Sequence, residues 1–100
     1  MFRIYDIDII FNETQFNEAW IDPHYEEKHK GSINDKLILM LLNCIHETLH
    51  LPQKEGNNGF KYYELDIEQD YKLYRLILVI PPNKSYIGIR NAYRKKYDEA

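Results

Sequence analysis

One hundred residues, 44% of them hydrophobic, with nine Tyr and only four Gly and four Pro, describe one folded domain with chain enough for a single core. A net charge of −3 gives no broad attraction for a polyanion, so any such partner must be held by local charge. The longest aliphatic run, 37–42, is far short of the roughly 20 residues of a membrane span, the opening MFRIYDIDII carries acids where a secretory leader is apolar, and the lone Cys44 has no partner for an internal disulfide. A cytoplasmic protein without a membrane partner is expected.

FRIYDIDIIF alternates and predicts a first strand, with Ile4, Asp6 and Asp8 on one side and Tyr5, Ile7 and Ile9 on the other. FNETQF then reads as a helix start: Asn12 as N-cap, Gln15 as its capping-box partner, Phe11 and Phe16 as a hydrophobic staple. DPHYEEKHKG restarts the helix with Asp22 as cap, Pro23 in the first turn and Gly31 as stop. SINDKLILMLLNCIHETLH follows as the core helix, with Ser32 and Asp35 as a cap pair, Cys44 packed within it and Pro52 beyond its end. After the break PQKEGNNG, three runs rich in β-branched and aromatic residues, GFKYYELDIE, YKLYRLILVI and SYIGIRNAY, are separated by QD and PPNK, which are hairpin lengths. The predicted order is β-α-α-β-β-β, an α+β domain over residues 1–100 with two to three helices on one face of a small antiparallel sheet.

Within the core helix, His46, Glu47 and His50 spell H-E-x-x-H. On a zinc-peptidase helix two such histidines share a face and bind metal, the glutamate is the general base, and a third ligand comes from elsewhere. Glu55, Glu64, Asp66 and Glu68 are the candidates for that ligand, and none lies on a following helix. At 3.6 residues per turn, Lys36, Asn43, His46, Glu47 and His50 also fall within one arc, so the motif coincides with the polar face this helix needs for solvent. The solvated face is the preferred reading, with a metal site at His46, Glu47 and His50 as the alternative.

Basic and aromatic residues gather late in the chain. Lys84, Arg90, Arg94, Lys95 and Lys96 interleave with Tyr86, Tyr93 and Tyr97, a pattern that suits single-stranded RNA. In the final strand Arg90 lies opposite to Ile87 and Ile89 and shares its face with Tyr86, as a phosphate ligand beside a stacking surface. Arg75 interrupts an apolar strand, and a charge there needs a partner, Glu64 or Asp66, or a functional face. His24 and Lys28 are one helical turn apart with His29 nearby, either a solvated turn balanced by Glu26 and Glu27 or a set of proton-transfer groups.

The element order, YRLILVI with an Arg opening an apolar run, the last strand IGIRNAYRKKY, and the helical entry HYEEKHKGSINDKLILMLL together resemble the RelE/ParE-type toxins and the wider group of small bacterial ribonuclease toxins. The resemblance implies cleavage of RNA, commonly on the ribosome, without metal or other cofactor, and neutralisation by a cognate antitoxin or immunity protein. It implies Arg75 as phosphate-stabilising, Arg90 and Arg94 as RNA-binding, and Tyr93 as a catalytic tyrosine. Metal-free RNA cleavage needs a base for the 2′-OH, an acid for the leaving oxygen and cations for the phosphate. On that chemistry His24 and His29 join the catalytic set, and Lys28, Tyr86 and Lys95 the binding set. These toxins are usually basic, whereas this chain is acidic. The competing expectation is a non-enzymatic immunity or inhibitor module that covers a basic partner with Tyr62, Glu64, Asp66 and Glu68.

Overall fold

The computed structural model describes residues 1–96, so Tyr97 of the basic tail lies outside the described residues. The alternating N-terminal segment forms β1 (Arg3–Phe11), with Ile4, Asp6 and Asp8 exposed and Ile9 and Phe11 buried. The chain then reverses at Asn12 and Glu13, both at positive φ (52° and 62°), into β2 (Thr14–Ile21). A two-residue turn with two positive φ angles matches the twist of paired strands, and Asn tolerates that conformation better than most residues. The expected helix at FNETQF is therefore a hairpin. The preferences that make Asn12 a good N-cap also make it a good turn residue, and Phe11 and Phe16 are buried as alternate strand positions instead of as a staple.

After β2, Asp22 accepts a hydrogen bond from the His24 amide at 2.9 Å, and Pro23–Tyr25 form a 3-10 turn leading into the short helix α1 (Glu26–His29). Helix α2 (Asp35–Cys44) is capped by Asn34, whose Oδ1 receives the Leu37 amide at 2.8 Å. The expected Ser32/Asp35 cap pair does not form, because Asp35 is engaged by Arg3, Tyr5 and Tyr25. Ile38, Leu41, Leu42 and Ile45 give α2 its buried stripe. The short strand β3 (Lys54–Glu55) and the long β4 (Lys61–Gln69), β5 (Lys72–Ile80) and β6 (Tyr86–Lys95) complete a six-stranded sheet. Its order is β1-β2-β6-β5-β4-β3.

The molecule is thus α+β with fewer helical residues and more strands than expected. The sheet is mixed, because β2 runs parallel to β6 while the other neighbours are antiparallel. Tyr63, Leu65 and Ile67 of β4 meet Leu78, Leu76 and Tyr74 of β5 across the ladder, and with Ile87, Ile89 and Ala92 of β6 they form the buried face over which α2 packs. Alternate residues line the other, open face. No helix among the described residues is long and apolar enough to cross a membrane.

Helix α2 stops at Cys44, so the HETLH segment is not helical. Cys44, expected to be packed, is exposed at the helix end, and Leu49 is 69% exposed. The segment covers part of an edge of the sheet instead. The Ile10 amide donates to His46 Nδ1 at 3.0 Å, the Glu47 amide to the Ile10 carbonyl at 2.7 Å, the Asn12 amide to the Thr48 carbonyl at 3.0 Å, and the His50 amide to Asn12 Oδ1 at 2.6 Å. These bonds satisfy the outward backbone groups of β1 that an uncovered edge would leave open.

Candidate active site on the open face of the sheet

Strand register carries three candidate residues onto the open face side by side. Tyr93 of β6 lies opposite Arg75 of β5, which lies opposite Asp66 of β4. Arg75 grips Asp66 with two bonds, Nε to Oδ1 at 2.8 Å and Nη2 to Oδ2 at 3.2 Å, and its Nη1 is 3.6 Å from Glu64. Lys95, its side chain only 4% exposed, also reaches Asp66 Oδ2 at 3.2 Å. The hydrogen bond from Arg75, then that from Lys95, holds the Asp66 carboxyl below its ordinary pKa against the opposing effect of burial. Asp66 first and the Tyr93 side chain second raise that of Arg75.

His29 completes the group from the side. The pairing of β2 with β6 ends at Ile21 and Ile89, so the rest of β6 has no strand neighbour there, and the 3-10 turn and α1 occupy that flank. His29, half-buried at the end of α1, stacks on Tyr93 with ring centres 5.3 Å apart. His29, Tyr93, Arg75 and Asp66 therefore form a continuous run of contacts. It contains an imidazole and a phenol that can move protons and a guanidinium that can face a phosphate.

The remaining candidates are dispersed. His24 is exposed and paired through Nδ1 with Glu27, and Lys28 is exposed on α1. Arg90 is the extra residue of a bulge in β6 opposite Ile77/Leu78; it is exposed, with its guanidinium carbon 6.0 Å from the centre of the Tyr62 ring. Tyr86 stacks on Trp20 at 4.2 Å. Arg94 pairs with buried Tyr74 and so points away from Tyr93. Lys95, expected to bind RNA, has its ammonium on Asp66. His46 has its Nδ1 occupied by a backbone amide, Glu47 is at φ 62°, and His50 stacks on Phe11. No group of three or more His, Cys, Asp or Glu residues able to hold a metal ion occurs among the described residues.

Two features escape the sequence reading. Trp20 and Phe2 join Tyr86 on the open face, with ring centres of Phe2 and Trp20 5.9 Å apart. Their signal was the chain's single Trp, hidden by assigning its segment to a helix. The second is the cluster at Asp35: Arg3 Nε and Nη2 donate at 2.6 and 2.9 Å, the Tyr25 hydroxyl at 2.7 Å, and the Tyr5 hydroxyl adds a fourth bond. The Arg3 bond, then those of Tyr5 and Tyr25, lower the Asp35 pKa to about 2 although burial opposes the shift. These partners are 10 to 32 residues away, beyond the reach of local pattern reading. Comparison with protein-family models, curated proteins and solved structures finds no match for the chain.

Proposed function

We propose that the protein is a metal-independent ribonuclease of the toxin type, a member of the group that its sequence resembles. The observation that carries the reading is the run of contacts from His29 through Tyr93 to Arg75. In this reaction His29 takes the proton of a ribose 2′-OH, and the freed oxygen attacks the adjacent phosphorus. Arg75 faces the charge growing on the phosphate oxygens. The bond to the 5′-oxygen breaks, Tyr93 gives that oxygen its proton, and the products are a 2′,3′-cyclic phosphate and a 5′-hydroxyl. No water, metal or oxidant enters the balance.

The test is purified protein on single-stranded RNA, alone and with ribosomes, in the presence of a chelator. Cleavage to cyclic-phosphate ends is expected, falling about 100-fold or more in His29→Ala and also in Tyr93→Phe, with folding checked for each variant. His24→Ala separates the two histidines: its pairing with Glu27 predicts a smaller loss. Intact RNA after incubation with folded wild type, on and off ribosomes, overturns the proposal.

One observation favours a second reading. Tyr62, Glu64, Asp66 and Glu68 stand on the same outward side of β4, an acidic and aromatic row suited to a basic protein partner. Recovery of a basic protein whose binding is lost in Glu64→Lys would support that reading.

A further inference from the structure

Beside the run of proton-transfer groups, the open face holds a hollow shaped by a glycine. Strand register sets Gly88 of β6 between Trp20 of β2 and Val79 of β5. A Cβ on Gly88 would lie 2.7 Å from Val79 Cγ1, so only glycine leaves this floor open without a shift. Trp20, flanked by Tyr86 and Phe2, forms one wall, and Phe60 and Pro81 help form the other, around about 150 Å³. Past Gly88 the hollow adjoins a second space of about 300 Å³ bordered by Asp22, Tyr62 and Arg90.

The chemistry of the two ends differs. The first is aromatic and accessible, with Phe2 50% exposed. The second presents Arg90, which has no carboxylate within ion-pair distance among the described residues. A flat π-system joined to an anion fits this sequence of surfaces. A purely apolar peptide leaves Arg90 unused, and a duplex keeps its bases stacked inside and cannot offer one to the hollow.

We propose that the hollow over Gly88 is a nucleobase subsite for single-stranded RNA, with the base against the Trp20 and Phe2 aromatics and its phosphate on Arg90. The choice of RNA rests on the ribonuclease reading. The subsite lies on the same strand as Tyr93, roughly 15 Å along β6, so one strand of RNA can occupy both places. It receives most of its affinity from stacking and little from charge, in keeping with an acidic protein.

Trp20 is the chain's only tryptophan, so its fluorescence reports on this hollow alone. The experiment titrates wild type, Phe2→Ala and Arg90→Ala with a 2′-O-methyl RNA octamer, which cannot be cleaved because its 2′-oxygens are blocked, and with the same octamer as a duplex. The single strand is expected to quench wild type, with affinity about 5-fold or more weaker in each variant and a log–log salt slope near −0.7 for one phosphate. The duplex is expected to bind more weakly by about tenfold, since its bases are unavailable. Both substitutions are at exposed positions, and circular dichroism checks their folding. Absence of quenching, equal affinity in the variants, or equal binding of the duplex overturns the subsite. Cleavage of unmodified RNA is assayed in parallel: cleavage without quenching removes the subsite and keeps the ribonuclease, whereas quenching without cleavage supports the subsite and removes the ribonuclease chemistry.

Discussion

Asp35 shows how much one side chain can settle. Its carboxylate gathers Arg3 and Tyr5 from β1, Tyr25 from the 3-10 turn and the start of α2 into one point, so it fixes where the helices sit against the first hairpin. Its side chain is only 15% exposed, and the depression of its pKa to about 2 corresponds to about 2 kcal/mol of stability at neutral pH. The carboxylate's folded pKa is below its unfolded value near 4, so this contribution is present above pH 4 and is lost as pH falls through about 2. Asp35→Asn is therefore expected to lower stability to urea by about 2 kcal/mol at pH 7, with the gap from wild type closing between pH 4 and 2. A constant gap across that range would show that the effect is steric. Alkali acts through Tyr25, whose pKa burial first and Asp35 second push up to about 12, so stability is lost as pH rises from about 10 through 12.

At the scale of elements, turn chemistry explains both an expectation that failed and one that held. Asn12-Glu13 and Asp70-Tyr71 are two-residue hairpin turns with both residues at positive φ. Only the second was expected as a hairpin, because it lies between two long β-branched runs, whereas the first sits among residues that also spell a capping box. Tyr71 is at φ 64° and 91% exposed, so it carries a backbone penalty with little packing in return. Tyr71→Gly creates the Asp-Gly pair that such turns favour and is expected to stabilise the fold by about 1 kcal/mol, read as a higher urea midpoint. A lower midpoint would mean that the Tyr71 ring contributes more than its exposure implies. The HETLH segment shows the converse: an unbroken helical pattern ends early because β1 needs partners for its edge, and His46 and Asn12 help supply them.

For the whole molecule the deciding quantity is charge. The chain carries −3 overall, and on the open face Arg75 and Lys95 are met by Asp66 and Glu64. On the proposed function RNA must compete with these carboxylates for Arg75, which slows association compared with a basic nuclease. Glu64→Gln removes one competitor without unpairing Lys95. It is expected to tighten RNA binding several-fold at low ionic strength, with the gain shrinking as salt screens it. No gain at low salt would mean that Arg75 does not meet the phosphate.

Local patterning determined the α+β class, strands at 61–69, 72–80 and 86–95 close to their observed bounds, the face shared by Tyr86 and Arg90, and the pairing of Arg75 with Asp66 and Glu64, because each depends on alternation or on neighbouring strands joined by short turns. Tertiary structure alone decided that β2 lies parallel to β6, that α1 fills the flank where β2 stops, and that His29 therefore meets Tyr93 while His24 pairs with Glu27. It also decided that Lys95 is buried on Asp66 and that Trp20, Gly88 and Val79 line up as one hollow. These contacts join residues far apart in the chain, and their geometry is set by which strand fills the last place beside β6. Periodicity within a segment carries no information on that choice.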